Sequence, residues 1–136
     1  RVETRLENPA PRLERFLKAH ATSELGLMAR EKAARLGRSL KTLTIREMTS
    51  RWGSCSIDGR MALSWRLVFA PRIAADYVVA HEAAHLIHPN HGDKFWKLCE
   101  DLSTDFKTGK DWMRANGSLL ARYGATPSFP PENFEE

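Results

Sequence analysis

From Tyr77 to Ile87 the chain reads Tyr-Val-Val-Ala-His-Glu-Ala-Ala-His-Leu-Ile, and beyond the Tyr77 hydroxyl its only strongly polar members are His81, Glu82 and His85. On a helix, Glu82 and His85 lie about 100° and 40° around the axis from His81, so the three share one face. A helix this apolar belongs in an interior. A buried carboxylate and two buried imidazoles are costly there unless they are paired or gathered on a cation. The run therefore demands a fold that encloses a polar site in its core. Histidines one turn apart can offer two neutral ring nitrogens to a single Zn²⁺ at about 2.0–2.1 Å, leaving Glu82 to hold a water. The bland alternative has both histidines hydrogen-bonded in the core and Glu82 reaching solvent, and it leaves the spacing unexplained.

A catalytic zinc usually takes three protein ligands. His91 and His88 compete for the third place. On a continuous helix His88 would stand about 10 Å along the axis from His81, too far to share an ion. Pro89 disfavours helical geometry at His88, and Asn90 readily adopts a left-handed conformation, so the chain can turn and return His91 to the metal. His91 is the expected ligand, with His88 left near the helix C-terminus, where its charge suits the dipole.

The remaining segments predict an α+β fold. Leu13, Phe16, Leu17, Leu25, Met28 and Leu36 recur at helical spacing before Gly37, so Arg12 to Leu36 is one long helix, or two with a break near Gly26. Leu40 to Met48 reads as a strand, and Asp58-Gly59 between two such runs is a hairpin signal. In the second arm Leu63, Trp65, Leu67 and Phe69 alternate with Ala62, Ser64, Arg66 and Val68. Pro71 opens the helix that carries the histidines. Asp93 to Leu102 is a further helix, with Phe95 and Trp96 packing near the metal, and Lys110 to Tyr123 is a last one interrupted by Gly117. A domain over residues 1–126 is expected, followed by a flexible tail at 127–136.

Several stretches together resemble one family: Thr49-Ser50-Arg51-Trp52-Gly53-Ser54-Cys55-Ser56, Leu63-Ser64-Trp65-Arg66-Leu67, Asp76 through Leu86, and Asn90-His91-Gly92-Asp93-Lys94-Phe95-Trp96. This order is similar to the YgjP-like metallopeptidase domain, over about Leu13 to Gly117, and through it to the SprT-like and WLM zincins. The resemblance implies a zincin-like fold: a small antiparallel-containing sheet packed against a long N-terminal helix and the metal helix, with C-terminal helices. It also implies metal ligands at His81, His85 and His91 and a catalytic Glu82. Ala83-Ala84 departs from the bulkier pair often found between the histidines, and His88 stands where the metzincin pattern has glycine. The chain opens on Arg1, and family members often carry a preceding region, so it is expected to be the C-terminal part of a longer protein.

The net charge of +4 is uneven: residues 1–60 hold thirteen basic and seven acidic side chains. Arg30, Lys32, Arg35, Arg38 and Lys41 concentrate near the end of the first helix. Such a run is usually a solvated face, with nucleic-acid contact as the sharper reading. No apolar stretch approaches the length needed to span a bilayer. Cys55 and Cys99 form no CxxC unit, and reduced thiols in a cytoplasmic protein are expected.

The chemistry expected is zinc-dependent peptide hydrolysis. Zinc held by His81, His85 and His91 lowers the pKa of a water toward about 7, and Glu82 takes its proton as it attacks a peptide carbonyl. Arg51, Tyr77 and Asn90 are candidates for holding the oxyanion. The Arg51-Trp52-Gly53-Ser54 segment could border the cleft as a sheet edge to which a peptide adds as a strand, although Trp52 itself reads as core. Two other classes compete: a metal-dependent nucleotide pyrophosphohydrolase using Arg51 and Arg66, and a noncatalytic adaptor binding nucleic acid or protein around a structural zinc.

Overall fold

The computed structural model describes residues 10–120. Helix α1 spans Ala10–Arg35. Its inward stripe is Ala21, Leu25, Met28, Ala29 and Ala33, spaced as one face of a 3.6-residue period. Leu13 and Phe16, expected on that face, are instead 53% and 66% exposed, while Leu17 of the same stretch packs against the core. The helix runs through Gly26 without a break. A Cβ there would stand 3.7 Å from Leu43, so this glycine sits at the contact between helix and sheet. Gly37 ends the element at φ +70°, with the Arg38 N–H donating to Ala33 O and the Gly37 N–H to Ala34 O. That pair of bonds is a Schellman cap, and its left-handed residue favours glycine.

Three strands follow: β1 (Thr42–Arg46), β2 (Gly53–Cys55) and β3 (Arg60–Ser64). Their order is β1-β3-β2, with β1 parallel and β2 antiparallel to the central β3. The Asp58-Gly59 turn forms as expected, with Gly59 at φ +97°. Its leading arm, however, is the short Gly53–Cys55 segment rather than the Leu40–Met48 run, which becomes a parallel neighbour of β3. Gly, Ser and Cys carry little strand propensity, so only pairing in the folded sheet defines β2.

The second arm also ends early. β3 stops at Ser64 and Trp65–Phe69 winds into a 3₁₀ turn, with the Ser64 hydroxyl accepting the Arg66 N–H. This turn brings both Trp65 Nε1 and the Arg66 guanidinium onto the Glu47 carboxylate, at 2.8 Å and 3.1–3.2 Å. Arg66 is only 1% exposed, and a strand continuing past Ser64 would not deliver that partner.

Helix α2 (Arg72–Ala84) follows Pro71 and packs on α1, on β2, and on the two helices after it, α3 (Asp93–Leu102) and α4 (Phe106–Leu120). It is buried from Ala74 to Ala84. Helix α4 begins four residues before the expected Lys110 and continues through Gly117, which faces Trp52. Gly109 permits the tightest contact in this part of the fold, since a Cβ there would meet Tyr77 Cβ at 2.6 Å and Ile73 O at 2.7 Å. Residues 121–123 and the expected tail at 127–136 lie outside the described residues.

Much of the basic run is engaged within the fold. Lys32 Nζ donates to Leu102 O and pairs with Asp76 at 2.7 Å, and Asp76 accepts the Thr104 N–H. Arg35 donates to Asp101 O, and Arg38 to Leu86 O and Ile57 O. These cations therefore sit at the carbonyl ends of α3 and of the turn that leaves α2, where the helix dipole favours them. Arg30 and Lys41 remain exposed. Among the described residues no helix is long and apolar enough to cross a membrane.

Candidate metal centre

His81 and Glu82 occupy the last turn of α2, and His85 is its C-terminal cap, with αR backbone at φ −69° and ψ −11°. The chain then tightens: the N–H groups of His85, Leu86 and Ile87 donate three residues back, to Glu82, Ala83 and Ala84. Pro89 and Asn90 turn the backbone, although not through the left-handed conformation expected at Asn90, since no described residue other than glycine has positive φ, and His91 returns just ahead of α3. One ring nitrogen from each of His81, His85 and His91 lies within 4.8 Å of the others. His88 takes no part in this group. Its side chain lines a shallow surface cavity with Asp93 and Lys97, while its carbonyl lies 3.1 Å from His85 Nδ1.

That contact fixes a tautomer. A carbonyl oxygen only accepts, so His85 Nδ1 carries the proton and Nε2 keeps its lone pair. Burial, reinforced by His81, also holds the His85 pKa below the usual imidazole value, against the opposing effects of Glu82 and the His88 carbonyl. A neutral imidazole oriented through its other nitrogen is the form that binds a metal.

Phe95 packs behind all three rings, with centroid distances of 5.1 Å to His81, 4.5 Å to His85 and 4.7 Å to His91. Trp96 adds contacts to His81 and His91. Phe95 is fully buried, and neither ring lines the cleft in front of the histidines, so both are packing groups. This cleft has a volume of about 570 Å³. His81, Glu82, His85 and His91 form one side, while β2, the hairpin tip at Ile57 and Arg51 form the other. The Glu82 carboxylate stands 3.4 Å from His81 Nδ1. Of the three oxyanion candidates, Arg51 alone lines the cleft. Tyr77 is fully buried against Phe106 and His81, and Asn90 is exposed and outside the cleft lining.

Gly53 escaped the sequence reading. A Cβ at this position would lie 2.9 Å from Glu82 Cγ, 3.0 Å from Leu63 Cδ2 and 3.1 Å from Ala62 O. The glycine thus lets α2 approach the strand edge closely enough to set Glu82 directly against β2. A glycine inside a strand is the available signal for such an approach, and the sheet edge expected over Arg51-Trp52-Gly53-Ser54 did form in part, but no local pattern says that Glu82 is the side chain packed against it. Cys55, on the same strand, lines the cleft, and its thiol is pushed up to about 12, first by burial and then by Glu82.

The family model that matches this chain is the YgjP-like metallopeptidase domain, and it covers residues 1–116. The chain belongs to the YgjP-like family. Neither the curated proteins nor the solved structures provide a match. Family membership implies a metal-dependent hydrolase, and the donors present suit a metal. Nitrogens on one tetrahedral metal ion stand roughly 3.4 Å apart, and the three ring nitrogens, all within 4.8 Å of one another, approach that spacing. In a YgjP-like chain, Arg66 is also notable for where it is not: it lies buried on Glu47, away from the cleft.

Proposed function

We propose that this chain is a zinc-dependent peptidase in which His81, His85 and His91 hold the ion and Glu82 is the general base. The observation that carries the reading is the convergence of three imidazoles and one carboxylate on a cleft whose opposite wall is an edge strand. Zinc, when bound, lowers the pKa of water and polarises a carbonyl. Glu82 accepts the proton of the attacking water and passes it to the departing amine nitrogen. His85 holds its coordinating nitrogen deprotonated through its bond to the His88 carbonyl. Phe95 and Trp96 keep water from the back of the triad.

The substrate is an extended peptide or unfolded protein segment. Among the described residues β2 pairs with β3 alone, so its outer edge offers backbone groups to which a peptide can add as a strand. Backbone pairing of this kind gives weak sequence preference. The same features support a zincin-like classification: two histidines at the end of a core helix, beside a mixed sheet with an edge strand on the cleft. The two free cysteines support a cytoplasmic setting. A pyrophosphohydrolase reading has less support because Arg66 is committed to Glu47. An adaptor with structural zinc leaves the position of Glu82 in the cleft unexplained.

Metal analysis and turnover test the proposal together. Zinc is expected at about one per chain, retained in His88→Ala and lost in His91→Ala. Wild type cleaves unfolded proteins and peptides, while Glu82→Gln keeps the metal and loses cleavage. Hydrolysis of nucleoside triphosphates without any peptide cleavage overturns the assignment.

A further inference from the structure

Arg46 closes β1 and Arg51 precedes β2, and the segment between them crosses one end of β3. Arg46 is in register with Ser64, and Gly53 with Leu63, so both arginines arrive at the same end of the sheet. A second cavity of about 300 Å³ opens there, lined by Arg46, Met48, Thr49, Ser50, Arg51 and Ser54. Arg51 and Ser54 also line the metal cleft, so the two cavities share a wall.

The lining has two guanidinium groups and three hydroxyl residues, with no acid. Between Leu40 and Ile57 the only acidic residue is Glu47. Strand alternation sends it to the opposite face from Arg46, and its carboxylate is taken by Trp65 and the buried Arg66. Arg46 donates to the Glu47 carbonyl at 3.3 Å, and neither Arg46 nor Arg51 enters an ion pair among the described residues. Two planar donor forks and nearby hydroxyls, without a counter-charge, match a carboxylate in geometry and sign.

We infer that this pocket is a substrate subsite that receives a carboxylate of the bound peptide, either an Asp or Glu side chain or the free C-terminus. The inference rests on the peptidase reading and adds selectivity to it. A peptide lying along β2 gains little discrimination from backbone pairing, whereas a carboxylate seated between Arg46 and Arg51 fixes the register of the chain relative to Glu82. Cleavage therefore occurs at a constant distance from an acidic group.

The test uses the full chain carrying Glu82→Gln, so that peptides stay intact, and reads binding by fluorescence anisotropy. Short labelled peptides carry one Glu, or Gln at the same place, moved along an otherwise neutral sequence, each with a free or an amidated C-terminus. Expected is about tenfold tighter binding for Glu over Gln at one position, or for the free over the amidated terminus. The ratio falls to about one in the double variant Arg46→Ala, Arg51→Ala, and Arg46→Ala alone lowers it while leaving the neutral peptide's binding unchanged. The pair Arg46→Lys, Arg51→Lys keeps part of the preference and controls for folding. Neutral peptides that bind without any acidic preference, or a preference that survives the double variant, overturn the inference while leaving the peptidase reading intact. Failure of every peptide to bind the Glu82→Gln chain, together with no cleavage of any of them by the wild-type chain, overturns both. Inorganic phosphate that weakens neutral-peptide binding, without a Glu preference, assigns the pocket to a free anion and also overturns the inference.

Discussion

Replacing Gly53 by alanine tests whether close packing against β2 positions Glu82. The added methyl would sit 2.9 Å from Glu82 Cγ, where carbon atoms rest at about 3.5–4.0 Å. Glu82 must therefore retreat by roughly 0.6–1 Å. The strand has little room to yield instead, since Leu63 and the Ala62 carbonyl stand at 3.0 and 3.1 Å on the same side and Gly53 is held in register with Leu63. Overpacking of this kind costs about 1–3 kcal/mol of stability. A base displaced by about an ångström costs on the order of 100-fold in rate. Gly53→Ala is accordingly expected to lower kcat by about two orders of magnitude, with zinc content unchanged, because none of the three closest atoms belongs to a histidine. Peptide cleavage, zinc content and thermal unfolding would be measured side by side. Combining Gly53→Ala with Glu82→Gln should give no rate lower than Glu82→Gln alone if the effect passes through the carboxylate. Wild-type kcat in a normally folded Gly53→Ala protein refutes the reasoning.

Two glycines of α4 should respond in opposite directions. Gly109→Ala must push α4 away from Tyr77 and the Ile73 carbonyl and destabilise the fold by about 2 kcal/mol or more, whereas Gly117→Ala meets nothing closer than 3.6 Å and gains roughly 0.5–1 kcal/mol of helix propensity; urea unfolding of both variants checks the contrast. Lys32→Met strands the buried Asp76 carboxylate and should cost about 3–5 kcal/mol in the same assay. Burial lifts the thiols of Cys55 and Cys99 from about 9 to about 12, so alkylation of the folded protein at pH 8 should be far slower than in denaturant and should rise with pH. The sign for stability follows: a thiol with a raised pKa contributes fully below about 9, and that contribution is lost as pH climbs toward 12. Equal alkylation rates in native and denatured protein at pH 8 contradict this.

The helices and the candidate ligands were legible because their signals are local. An apolar run interrupted only by His81, Glu82 and His85 fixes one helical face, and Pro89-Asn90 announces the turn that returns His91. Gly37 and Gly59 mark backbone conformations that glycine favours, and both marks held. The errors fall where long-range partners decide. The alternation from Ala62 to Phe69 suggested a continuous strand, yet the burial of Arg66 required a turn toward Glu47, which is distant in sequence. Lys32, Arg35 and Arg38 read as a solvated charge run because the carbonyls they cap belong to α3 and to the exit of α2. Leu13 and Phe16 carried the right period, yet both are exposed among the described residues. Sequence by itself thus determined which residues could share a helical face and where the chain could turn, since those depend on neighbours within a few positions. Only the tertiary structure decided that β2 would be the arm before the turn, that Gly53 would admit Glu82, and that Arg46 and Arg51 would line one cavity. Each of these depends on backbone segments brought together by the sheet, at separations that no local pattern encodes.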